Sequence, residues 1–166
     1  MEKVSLRKMY DFGDVLILPR SSELNSRKEV NLIRDINFFL GNGLSLKWSG
    51  IPIIASNMTS TGTFEVYNVL CSHNIVTAFH KFYSLEDYKR ANQTYKLNPD
   101  LFMVSTGIND ADFTRLKDIL SQIDCNWICI DIANGYISNV LIFCAKVRRE
   151  FPNKIIVAGN VQQQRV

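Results

Sequence analysis

From residue 51 onward the sequence alternates between two textures, and no other feature limits its fold as tightly. Short, β-rich apolar runs stand at IPIIASN (51–57), IVTAFHK (75–81), LFMVST (101–106), WICIDIA (127–133) and KIIVAGN (154–160). Each has the length and composition of a strand buried on both faces. Segments of helical period lie between them. Phe64, Tyr67, Leu70 and Cys71 fall on one stripe, Phe113, Leu116, Ile119, Leu120 and Ile123 on a second, and Ile137, Val140, Leu141, Cys144 and Val147 on a third. Thr63 after a glycine, Ser84 with Asp87 three residues on, and Asn109-Asp110 after Gly107 signal helix starts. Five strands separated by four helices, at a repeat of roughly 25 residues, predict an α/β fold with right-handed parallel crossovers and helices covering the sheet.

Length then sets a limit. A closed eight-fold barrel of such units usually takes about 250 residues, and the chain has 166. The expectation is a (β/α) barrel-type sheet truncated to about five parallel strands, in one domain. Residues 51–166 would form its first five β/α units and residues 1–50 an amino-terminal extension. Within that extension, VNLIRDINFFL, GNG and LSLKWSG read as a β-hairpin around a glycine-rich turn. It is expected to pack, with DFGDVLILP, on the sheet or its end.

Composition narrows the partners. With 46% hydrophobic residues, a chain of this length supports a core without disulfides or metal staples. The net charge is +3 and the longest basic clusters are Arg148-Arg149 and Arg27-Lys28, too small for a nucleic-acid footprint. No run approaches 18 uninterrupted apolar residues, so no membrane span is expected. The four cysteines, Cys71, Cys125, Cys129 and Cys144, lie inside apolar periodic segments. That pattern suits reduced thiols in a reducing compartment, and with no signal-peptide core in MEKVSLRKMYDFGD the expected location is cytoplasmic.

In parallel α/β sheets, ligands bind outside the carboxyl ends of the strands. Those ends read Ser56-Asn57-Met58, His80-Lys81, Ser105-Thr106-Gly107, Asp131 to Gly135, and Gly159-Asn160. Lys81 and Asp131 close different buried strands and would share one rim, as a structural ion pair or as site groups. Gly41-Asn42-Gly43 opens like a dinucleotide fingerprint but lacks the third glycine and leads into a strand-like run. His73 and His80 have no metal-ligand spacing, and no metal site is expected. Cys129 lies two residues before Asp131, on the same strand face but deeper, where a thiolate would be poorly solvated.

With the strand ends assembled, the chain resembles the GMP reductase branch of the IMP dehydrogenase/GMP reductase family. The stretches that carry the resemblance are DFGDVLILPRSS, LNSRKEVNL, SGIPIIASNM with TGTFE, TAFHKFYSLEDY, CIDIANGY and IVAGNV. The branch is indicated by the 19 residues between Lys81 and Leu101, where IMP dehydrogenases typically insert a regulatory tandem module. HK-x-Y at His80 to Tyr83 also looks like the reductase.

The resemblance implies NADPH-dependent conversion of GMP to IMP and ammonia in purine nucleotide interconversion, by a homotetramer, often with a monovalent cation whose site would lie outside this chain. In that family a cysteine attacks carbon 2 of guanine, ammonia leaves, and hydride from NADPH follows. Lys81 matches the lysine of the proton relay. Asp131, Ile132 and Ala133 match a segment that contacts the nicotinamide, as does the position of Phe82. Ser26 and Arg27 match a pair that reaches the NADPH of a neighbouring subunit, and Asn57 and Met58 lie in the expected substrate region. Two departures stand out: Phe82 replaces the second histidine of HKHY, and Thr59 replaces an aspartate of NMDTVGT. The family nucleophile, on a glycine-rich serine-cysteine-threonine loop after the sixth strand, has no counterpart here. The chain alone is therefore expected to show no turnover, and the alternative is an inactive fragment serving as a nucleotide-binding or assembly module.

Overall fold

A computed structural model describes Lys8, residues 10–41 and residues 43–161. The chain divides into an amino-terminal unit, Met1–Asn31, and a larger unit, Leu32–Val166. In the first, 3₁₀ turns span Phe12–Asp14 and Arg27–Glu29. Asp11 and Asp14 cap the former reciprocally, through Phe12 N–H to Asp11 Oδ1 at 2.7 Å and Asp11 N–H to Asp14 Oδ2 at 2.9 Å.

The larger unit opens with the expected hairpin. Strands β1 (Arg34–Gly41) and β2 (Leu44–Gly50) pair antiparallel, with Ile36 opposite Trp48 and Phe38 opposite Leu46. Period-two alternation puts Leu40 and Trp48 inside while the Lys47–Asp35 ion pair stays in water. Gly43 turns the hairpin at φ +75°, a left-handed conformation that favours glycine.

Five parallel strands follow, alternating with four helices: β3 (Ile54–Ala55), α1 (Phe64–Leu70), β4 (Val76–Ala78), α2 (Leu85–Tyr95), β5 (Phe102–Thr106), α3 (Asp110–Leu120), β6 (Trp127–Asp131), α4 (Ser138–Glu150) and β7 (Ile155–Gly159). Their order in the sheet is their order in the chain. A doubly wound sheet would reverse direction once; this one winds a single way, as a barrel does. The architecture is the expected half-barrel with an antiparallel hairpin. The predicted helix starts are present. Thr63, Ser84 and Asn109 each accept a hydrogen bond from the backbone three residues on, and Asp87 and Asp112 complete reciprocal boxes.

The core between sheet and helices is rich in aromatic rings. Phe79, just after β4, and Phe102 of β5 pack against Tyr67 of α1, and Tyr88 of α2 meets Phe79 at 5.8 Å. Alternate residues face the other, concave side. There the hairpin closes the amino ends of the strands: Trp48 and Trp127 both donate their indole N–H to Asp100 O, at 3.0 and 3.1 Å, and Phe38 meets Trp127 edge-on at 5.0 Å. An apolar cleft of about 230 Å³ lies between Phe38 and Trp48 of the hairpin and Ile54, Val76 and Val157 of the sheet.

Two expectations need correction. The first barrel strand is Ile54–Ala55 and not 51–57, since Pro52 has no N–H to give a ladder. The buried stripe of α4 is Val140, Phe143 and Val147, while Leu141 and Ile142 are 74% and 67% exposed. Phe143 packs on Phe113 of α3 at 6.0 Å and leaves the predicted Leu141 outward, while Val140, Cys144 and Val147 stay on the covered side as expected. In the tail VQQQRV, residues 162–166 lie outside the described residues.

Candidate active site

Lys81 stands just beyond β4 and Asp131 ends β6, and the structure brings them together across the end of β5. Lys81 Nζ lies 3.4 Å from Asp131 Oδ2, with the two side chains 36% and 32% exposed. Such a half-open pair is weakly held by Coulomb attraction. Its interest is chemical: an ammonium with three donors sits beside an acceptor at the mouth of the half-barrel.

The loop that carries Lys81 is built tightly. His80 N–H donates to Gly62 O at 3.0 Å, so the turn after β3 and the turn after β4 close on each other. Gly62 is required at that approach, since a Cβ would run into Ala78 O. The His80 ring stacks on Tyr83 at 3.8 Å, and Tyr83 stacks in turn on Phe64 at 4.0 Å. Phe82 N–H donates to His80 Nδ1 at 3.3 Å, which needs an unprotonated Nδ1. Burial lowers the His80 pKa in the same sense. Phe82 itself is 71% exposed, an open ring beside the lysine.

On the other side of the rim, Ile132 N–H donates to Gly159 O at 2.8 Å and Ile132 O accepts from Asn160 N–H at 2.7 Å, which ties the loop after β6 to the end of β7. Ala133 lies exposed in that loop. Asn57 is half-buried and Met58 exposed in the turn after β3, where Met58 O accepts from Gly62 N–H at 2.7 Å. Ser26 and Arg27 are exposed in the amino-terminal unit, Ser26 accepting from Lys28 N–H at 3.2 Å as the cap of its 3₁₀ turn.

All four cysteines are placed. Cys125 is fully buried, donating to Phe102 O and Trp127 O, and burial pushes its thiol up to about 12. Cys129 pairs with Ser105 one step below Asp131, and burial raises its thiol pKa, with the Ser105 hydroxyl acting the other way. Cys144 lies on α4 and Cys71 in the 3₁₀ turn after α1. Among the described residues no group of three His, Cys, Asp or Glu side chains is placed to hold a metal ion, and no helix is long and apolar enough to cross a membrane.

Three features of the rim escape a reading of motifs. The Tyr83 stack is one. The fully buried Ser105 hydroxyl beside the Cys129 thiol is another. The third is Arg115 of α3, whose Nη1 donates to Tyr83 O at 3.1 Å and whose Nη2 donates to Ser105 O at 2.6 Å. Its one visible signal is a cation on the flank of the apolar stripe, beside Leu116.

Residues 9–166 match the IMP dehydrogenase / GMP reductase domain. Similar curated proteins include the GMP reductases of Photobacterium profundum, 47% identical over 154 residues, Vibrio campbellii, 45% over 152, and Citrobacter koseri, 46% over 154. In each comparison 90% of this chain is covered, and the chain spans 43% of the relative's length. Among solved structures, the inosine 5′-monophosphate dehydrogenase of Legionella pneumophila superposes with a TM-score of 0.72 at 22% identity, over 90% of this chain and 43% of that one. The fold is thus shared with a barrel enzyme, and the domain match places this chain in the IMP dehydrogenase/GMP reductase family.

Proposed function

We propose that this chain supplies the proton-relay lysine and part of the cofactor rim of a GMP reductase, which converts GMP to IMP and ammonia with NADPH. The observation that carries the reading is the Lys81–Asp131 pair at the open carboxyl rim, 3.4 Å apart, in a chain about 45% identical to proteins of that name. Ammonia leaves an aromatic carbon only if its nitrogen gains a proton, and in this reading the Lys81 ammonium gives it. Asp131 beside it offers a carboxylate acceptor that orients its donors.

The rim fits a nicotinamide cofactor by its donor set. Phe82 presents an open ring for stacking, as the histidine it replaces would, but without that residue's hydrogen bond. Asp131 offers a carboxylate acceptor, and Ile132 holds the adjoining loop in place. Ser26 and Arg27, in the amino-terminal unit, would take a phosphate of the cofactor bound to a neighbouring subunit, the guanidinium bidentately. When bound, the cofactor supplies hydride to the purine carbon. Covalent capture is assigned to residues other than these cysteines: Cys125 is sealed in the core, Cys71 and Cys144 lie on the helical layer, and Cys129 sits below the rim.

The test is a chimera in which residues 9–161 replace the matched stretch of the Photobacterium profundum enzyme. GMP-dependent NADPH oxidation is expected, and Lys81→Met should lower kcat by about a hundredfold or more, the usual contribution of a general acid. A folded chimera that ignores GMP, or that reduces NAD with IMP, overturns the reading. The 166-residue chain by itself is expected to give no sustained oxidation. A second reading, an assembly module without turnover, is favoured by the apolar cleft of about 230 Å³ between hairpin and sheet; it predicts co-elution of the inactive chain with a full-length reductase.

A further inference from the structure

Lys81 is delivered by β4 and Asp131 by β6, so the lysine meets its partner across the end of β5, the strand between them. Something must register the lysine's loop against that intervening strand. Up to Phe79 the chain is tied to β5 directly, by Phe79 N–H to Met103 O at 3.1 Å and by the Phe79 ring on Phe102 at 5.3 Å. Past that point, where the loop carries Lys81 and Tyr83, Arg115 supplies the tie to the carboxyl end of β5. Its guanidinium bridges Tyr83 O in the loop, at 3.1 Å, to Ser105 O near the carboxyl end of β5, at 2.6 Å. Arg115 comes from a different element, 32 residues beyond Tyr83, and is half-buried. Two carbonyls held by one planar, two-pronged donor have a fixed separation; the single ammonium of a lysine cannot impose it.

We propose that Arg115 is a positioning residue: by clamping the backbone of Tyr83 to that of Ser105, it holds the β4–α2 loop in register with β5 and keeps Lys81 at Asp131. The inference rests on the relay role proposed for Lys81, and it extends that role to a residue outside the rim.

Lysine acetylation of the 166-residue chain, mapped by mass spectrometry, reads the positioning without any turnover. Lys47 and Lys89, each in an ion pair on another element, serve as internal references. In Arg115→Met, Lys81 should label about five-fold faster relative to both references, a modest yield for two lost charge-assisted hydrogen bonds. Arg115→Lys should fall between it and the parent. If Arg115→Met does not fold by circular dichroism, the lysine variant carries the comparison. Lys81 labelling unchanged in a folded variant, or all three lysines rising together, overturns the proposal. In the chimera, Arg115→Lys should lower kcat about ten-fold with KM for GMP nearly unchanged, as expected when a reacting group is displaced and substrate contacts are kept. Selective Lys81 labelling combined with a chimera inactive toward GMP would leave the clamp standing and remove the reading of the reaction instead.

Discussion

At the scale of single residues, the rim depends on positions whose importance is steric or electrostatic. Gly62 is one. A methyl group there meets Ala78 O and lies 3.0 Å from both Asn57 Cα and His80 N, so the two turns that form one side of the site must part. Gly62→Ala should cost roughly 2 kcal/mol or more by the overpacking route, read as a lower denaturation midpoint. Cys125 is another, with a different signature. In the unfolded chain a thiol ionises near pH 8.5, whereas burial holds the folded Cys125 thiol up to about 12. Its contribution to stability is therefore complete below about pH 8.5 and is lost as pH rises from there toward 12, at no more than about 1.4 kcal/mol per pH unit. Cys125→Ala should give a shallower alkaline limb in a series of denaturation midpoints against pH. Native Cys125 should also resist thiol reagents until the chain unfolds. The Gly62 requirement was not visible in the sequence beyond its place in TGTFE, because the atoms it meets belong to β4, sixteen residues away at Ala78.

At the scale of elements, the helices begin where local chemistry says they should. Ser84 Oγ accepts from Asp87 N–H at 3.2 Å and Asp87 Oδ2 accepts from Ser84 N–H at 2.8 Å, and the hydrogen bonds from Ser84 draw the Asp87 carboxyl below its usual range. Ser84→Ala and Asp87→Ala should each cost about 1 kcal/mol. The double variant should cost clearly less than their sum, because each removes part of the same reciprocal box; an additive result in thermal or chemical denaturation would show the two caps to be independent. Caps are legible because donor and acceptor lie three residues apart. On α4 the period finds Val140, Cys144 and Val147 but not Phe143, since five apolar residues compete within Val140 to Cys144 and only the neighbour decides among them. Phe113 on α3 selects Phe143 and leaves Leu141 and Ile142 outward. The short β3 has a related reason: Ile51 and Ile53 are apolar and β-prone, but Pro52 between them gives no N–H, and ladder bonds belong to pairs of strands and not to one.

At the scale of the whole larger unit, the hairpin and the parallel sheet share one anchor, Asp100 O, to which both indoles donate. They should unfold together. In Trp127→Phe, the remaining Trp48, 4% exposed in the parent, reports the hairpin alone; its emission should shift at the same denaturant concentration as the far-ultraviolet signal of the helices. Separate midpoints would show a hairpin that detaches first. The sequence by itself determined the alternation of strand and helix, the parallel sense of the sheet, the helix starts and the family, because each rests on periods and motifs local to a few residues. Lys81, Asp131 and Phe82 could be placed at strand ends for the same reason. The tertiary structure alone decided that Lys81 reaches Asp131 across β5, that the hairpin closes the amino ends and leaves the carboxyl rim open, and that Arg115 clamps Tyr83 to Ser105. The Lys81–Asp131 pair joins side chains fifty positions apart, and the indole and guanidinium contacts end on backbone carbonyls, which every residue carries and which leave no mark in the sequence.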